Sequence, residues 1–89
     1  AVKGSGQTQV SVLIWPNPTA GQFSIRMENA DGPKEAQILD IYGKLVQKIR
    51  VTNQQQVNVS QLGAGVYILY IPNAFGEGNH FTERILVIR

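Results

Sequence analysis

Six apolar residues, Val66-Tyr67-Ile68-Leu69-Tyr70-Ile71, follow one another without a break, and this run restricts the fold more than any other feature. Gly63 and Gly65 stand before it and Pro72-Asn73 stop it. A β-branched and aromatic run closed so soon by a proline is too short for a helix. It suits a strand with apolar side chains on both faces, in the middle of a packed β-structure. Tyr67 opens two readings. In sandwich domains a Tyr at a strand start can fold its ring into the core and bond its hydroxyl to backbone just upstream. It can equally be an ordinary half-buried Tyr.

The rest of the chain supplies strands to surround that one. Val10–Trp15 reads as a first strand, with Val12 and Ile14 on one face and Leu13 and Trp15 on the other. Pro16 ends it, and Pro16-Asn17-Pro18-Thr19-Ala20-Gly21 forms a rigid turn of φ-locked prolines, an Asx-type residue and a permissive glycine. Phe23-Ser24-Ile25-Arg26-Met27 alternates without a fault, which places Phe23, Ile25 and Met27 inward. Glu28–Pro33 is a loop with Asp31-Gly32 at its tip.

Two readings compete over Glu35–Arg50. Ile38, Ile41, Tyr42, Leu45, Val46 and Ile49 fit a helical stripe. Gly43 in mid-helix, however, costs about 1 kcal/mol relative to Ala. Asp40-Ile41-Tyr42-Gly43 also places Asp first and Gly fourth, the positions a type I turn favours. The turn reading makes Ala36–Leu39 and Leu45–Val51 a hairpin. Beyond it, Thr52–Gln56 reads as a polar turn and Val57–Val59 as a short strand. Pro72–His80 reads as a glycine-rich loop long enough to be mobile. The final apolar run, Ile85–Ile88, reads as a terminal strand buried on both faces. About seven short strands punctuated by turns in 89 residues is the pattern of an all-β, immunoglobulin-like sandwich of antiparallel strands. Ala1–Gln9, small and polar, is set apart as a linker or cloning remnant, leaving residues 10–89 as one domain.

Composition narrows function by exclusion. Charged residues make up only 16% against 43% hydrophobic, a balance closer to an extracellular β-domain than to a cytosolic helical one. The net charge of +2 comes from scattered bases with no stacking aromatics between them, so nucleic-acid binding is not expected. With no cysteine, thiolate chemistry and disulfides are ruled out. The single histidine, His80, sits in the glycine-rich loop, and a triad around it cannot be inferred from spacing. The carboxylates Glu28, Asp31, Glu35, Asp40, Glu77 and Glu83 stand singly; Asp31 and Asp40 read as turn formers. No enzyme, metal or cofactor is expected.

Four motifs in order carry a family resemblance: Pro16-Asn17-Pro18-Thr19-Ala20-Gly21, Asp40-Ile41-Tyr42-Gly43-Lys44-Leu45-Val46, Leu62-Gly63-Ala64-Gly65-Val66-Tyr67 and Arg84-Ile85-Leu86-Val87-Ile88-Arg89. Each alone is turn or strand chemistry, but their order and spacing resemble the type A C-terminal sorting domain of type IX (Por) secretion system cargo. Two departures are conservative: Trp15 stands where a Tyr usually precedes the Pro-Asn-Pro turn, and Arg84 where a Lys is common.

The resemblance implies a seven-stranded immunoglobulin-like sandwich that acts as an address and not as a catalyst. It implies export of an upstream cargo to the periplasm, then across the outer membrane by a translocon and its shuttle proteins. It further implies removal of the domain by a gingipain-like cell-surface peptidase, in or before Ala1–Gln9, and release or anchoring of the cargo to anionic lipopolysaccharide at the cell surface. Pro16, Asn17, Pro18, Thr19, Gly21, Asp40, Gly43, Leu62, Gly65 and Tyr67 are then expected to serve mainly the fold. Arg84, Ile85, Leu86, Val87, Ile88 and Arg89 are expected to be what the translocon reads, by edge pairing and flanking charge. Strand addition at an open edge also makes a dimer an option. The competing classes are an immunoglobulin-like accessory module binding carbohydrate or a surface protein, and an edge-pairing adhesin or fibre subunit.

Overall fold

The computed structural model describes residues 10–88; the expected linker Ala1–Gln9, and Arg89, lie outside them. Seven antiparallel strands run in the order β1 (Ser11–Trp15), β2 (Gln22–Glu28), β3 (Lys34–Leu39), β4 (Leu45–Val51), β5 (Gln54–Asn58), β6 (Gly65–Ile71) and β7 (Phe81–Val87). They form a three-stranded sheet, β1-β2-β5, and a four-stranded sheet, β4-β3-β6-β7. This is an all-β, immunoglobulin-like sandwich in which β4 pairs with β3 and not with β5.

The core forms where the inward alternations of the two sheets meet. Phe23, Ile25 and Met27 of β2 and Val57 of β5 face Ala36, Ile38, Val51, Leu69, Ile71, Ile85 and Val87. Each of these side chains larger than Ala36 contributes about 1.5–3 kcal/mol by leaving water. β6 lies between β3 and β7, the central place its unbroken apolar run requires. The helical alternative over Glu35–Arg50 gives way to the hairpin. Gly43 N–H donates to Asp40 O at 3.0 Å, and Asp40 N–H to Lys44 O at 2.9 Å. Asp40 Oδ1 accepts the N–H groups of Tyr42 and Lys44, both at 2.9 Å. Gly43 takes a φ of 85°, in the left-handed region that a side chain disfavours.

Two expectations need correction, and one loop gains a defined shape. Gln54–Gln56 belong to strand β5 and not to a turn: their backbones pair with Arg26, Ile25 and Ser24 while Gln54 and Gln56 turn their side chains to solvent. The Pro72–His80 loop is folded on itself. Asn73 Oδ1 accepts Gly78 N–H at 2.8 Å, Phe75 N–H donates to Asn79 O, and Ala74 is buried. Finally, β7 is not buried on both faces. It is the last strand of its sheet, with Ile85 and Val87 each 1% exposed but Leu86 38% exposed.

Candidate recognition surface

The Pro16–Gly21 and Leu62–Tyr67 motifs meet β7, although they are far apart in the chain, while Asp40 and Gly43 stay in the β3–β4 turn. After β1 the Pro16-Asn17-Pro18 segment, with both peptide bonds into proline cis, crosses from the three-stranded sheet to the outer edge of β7. Asn17 there replaces a strand neighbour. Its Nδ2 donates to Arg84 O at 2.8 Å and its Oδ1 accepts Leu86 N–H at 3.1 Å. Thr19 continues the contact as a parallel bridge, its N–H donating to Leu86 O at 2.9 Å and its carbonyl accepting Ile88 N–H at 2.8 Å. Buried Thr19 also bonds through Oγ1 to Gln22 O and accepts Gly21 N–H, which fixes the turn back into β2. The backbone edge from Arg84 to Ile88 is therefore occupied from within the chain, and a partner strand cannot pair there without displacing Asn17 and Thr19.

At the same end, Tyr67 packs its ring against the core and donates its hydroxyl to Gly63 O at 2.8 Å. The corner reading of Tyr67 is the one realised. Gly65 begins β6 at a φ of 151°, and Leu62 packs against the core beside it. Gln47 of β4 donates to Asn58 O at 3.0 Å, tying the remaining edge of the four-stranded sheet to β5.

With the β7 edge engaged, the outer faces of the two sheets are further surfaces on offer, and they differ. The outer face of the three-stranded sheet is polar: Gln22, Ser24, Arg26 and Glu28 of β2, and Gln54, Gln56 and Asn58 of β5. Only Leu13 and Trp15 of β1 interrupt it. Trp15 is exposed, but Tyr70 lies on the other sheet, so these two do not form a row. The outer face of the four-stranded sheet is apolar at one end. There Leu45 pairs with Leu39, Leu39 with Ile68, Ile68 with Arg84, and Val66 with Leu86. The β3–β4 hairpin continues this end and carries Ile41 and Tyr42 at its tip, 65% and 88% exposed. Sequence reasoning treated these two only as turn or helix-stripe residues. Bulky apolar side chains at the two central positions of a turn, where polar residues usually sit, were the signal.

His80 and six carboxylates are the candidate groups for chemistry among the described residues. No group of three or more His, Asp or Glu residues is placed to hold a metal ion among them. His80 is exposed and stacks obliquely on Tyr70, ring centroids 5.4 Å apart. Asp31 pairs with Lys34 at 2.8 Å, and that hydrogen bond, with the charge behind it, holds the Asp31 carboxyl below the usual range.

Compared with known families, residues 13–88 match the model of the secretion system C-terminal sorting domain. No curated protein matches the chain.

Proposed function

Because this chain belongs to the type IX secretion system C-terminal sorting domains, a family of secretion signals and not of enzymes, we propose that it is the address by which the type IX translocon moves one particular upstream cargo from periplasm to cell surface. The observation that carries this reading is that the family match spans nearly the whole folded sandwich. The domain works folded. Asn17 and Thr19 of the first motif clasp the last strand, so the family motifs hold together one rigid surface for a receptor.

On this reading the outer-membrane translocon and its shuttle proteins read the C-terminal strand. Arg84, Leu86 and Ile88 do so through their outward side chains, while Ile85 and Val87 serve the core. Arg89, next in the sequence, is taken as a further positive charge for the receptor. A cell-surface peptidase then cuts in or before Ala1–Gln9, and the cargo is released or joined to anionic lipopolysaccharide. The test is to place the chain behind a periplasmic reporter in a type IX-competent host. Reporter at the surface or in the medium is the expected result; reporter that stays in the periplasm overturns the reading.

A further inference from the structure

Resting on that reading, we infer that the address is read across the outer face of the four-stranded sheet, from the β3–β4 hairpin tip to β7, and not at the C-terminal strand alone. The occupant is a protein of the secretion machinery that presents an apolar surface rimmed by carboxylates.

Three observations converge. Ile41 and Tyr42 project at the hairpin tip, and Leu45, Val66 and Leu86 stand partly exposed beside them on one end of one face. A patch of this kind rimmed by polar groups marks an interaction site, and Tyr and Arg are the residue types that concentrate binding energy. The opposite outer face is polar over most of its area, so the sandwich has one sticky side. The charge on that side selects the occupant. By register Lys48, Arg50 and Arg84 point outward with Tyr70, Ile68 and Gln37; among the described residues of this surface the carboxylates are Glu35, already 3.5 Å from Lys48, and Asp40 in the tip turn, whose Oδ1 accepts the Tyr42 and Lys44 N–H groups. Arg50 and Arg84 have no ion-pair partner among the described residues. A second copy stacked on this face would set cations against cations, whereas a carboxylate-rimmed partner complements them. Edge pairing is the weaker mode, since Asn17 and Thr19 occupy the β7 edge between Arg84 and Ile88.

The experiment uses the full chain behind a periplasmic reporter in a type IX-competent host. Five versions are compared: the unaltered chain, Ile41→Ser with Tyr42→Ser, Tyr42→Ser alone, Arg84→Glu, and Leu13→Ser with Trp15→Ser on the opposite sheet. Exported reporter is expected to fall by about tenfold or more for the hairpin-tip and Arg84 versions, the loss typical of an interface hot spot. The opposite-sheet version is expected to export like the unaltered chain. Thermal melting of each purified chain accompanies the export assay, and Tyr42→Ser alone, at a turn side chain 88% exposed, supplies a version that cannot act through the core. Unchanged export of the tip and Arg84 versions overturns the surface while leaving the sorting function standing. An equal loss from the opposite sheet overturns it too. A concentration-dependent dimer abolished by Tyr42→Ser assigns the face to a second copy and overturns the stated occupant. Failure of the unaltered chain to export removes the sorting reading itself, and this proposal with it.

Discussion

Asn17 shows how much a single side chain can organise. Its amide makes the donor and acceptor contacts that a neighbouring strand would make, to Arg84 O and Leu86 N–H. Asn17→Ala removes both bonds at an exposed site where water can replace them, so the expected cost is about 1 kcal/mol. In a domain of this size that lowers Tm by about 4–8 °C. Hydrogen exchange gives the sharper measurement: the Leu86 amide should lose protection while the Leu69 amide, in central β6, should not. Tyr67→Phe deletes the hydroxyl bond to Gly63 O and keeps the ring, for a similar loss of about 1 kcal/mol, read by denaturant midpoint. Asp31 gives a pH prediction with a defined sign. Its carboxyl is depressed by Lys34, so the pair's small contribution holds at neutral pH and disappears as pH falls through the folded-state value. NMR titration should find Asp31 protonating below the ordinary carboxylate range, and Lys34→Met should bring it back.

At the scale of the element, legibility followed the period of the side chains. β2 was readable because Phe23, Ile25 and Met27 alternate with polar residues, and all three are buried. The β3–β4 turn was readable because Asp and Gly have distinct backbone reasons to occupy its first and fourth positions. β7 misled because four consecutive apolar residues carry no period. Only its place at the end of a sheet turns Leu86 outward and Ile85 and Val87 inward. The Gln54–Gln56 segment misled in the opposite sense: three glutamines look like a turn, yet pairing with β2 needs only their backbones. A paired substitution exposes the difference within β7. Ile85→Ala, at a fully packed site, should cost about 2–5 kcal/mol. Leu86→Ala, half in water already, should cost well under half as much; equal losses in a urea melt would contradict the assigned faces.

The crossing from the first motif to the last strand belongs to the whole molecule and could not be read locally. Asn17 and Leu86 meet only because the sandwich brings β1 and β7 to the same side, and no periodicity or turn preference announces a contact that distant. The same is true of the recognition surface, which gathers the hairpin tip, the start of β6 and β7 from three separate motifs. This closure predicts what truncation does. Removing Ile85–Arg89 takes two buried side chains from the core, deprives Asn17 of Leu86 N–H and deprives Thr19 of both its backbone bonds to the last strand. It also uncovers the edge of β6 over Gly65–Tyr67, a row of unpaired backbone groups open to aggregation. The truncated chain should lose its cooperative melt and its export together, so that truncation alone cannot tell folding from reading. Arg84→Glu should part the two: the chain melts near the unaltered temperature because Arg84 is exposed on the outer face, yet export falls. A truncated chain that still melts cooperatively close to the intact one would mean that the Asn17–Thr19 clasp does not hold the sandwich shut. An Arg84→Glu chain that melts normally and exports normally would remove Arg84 from the surface that is read.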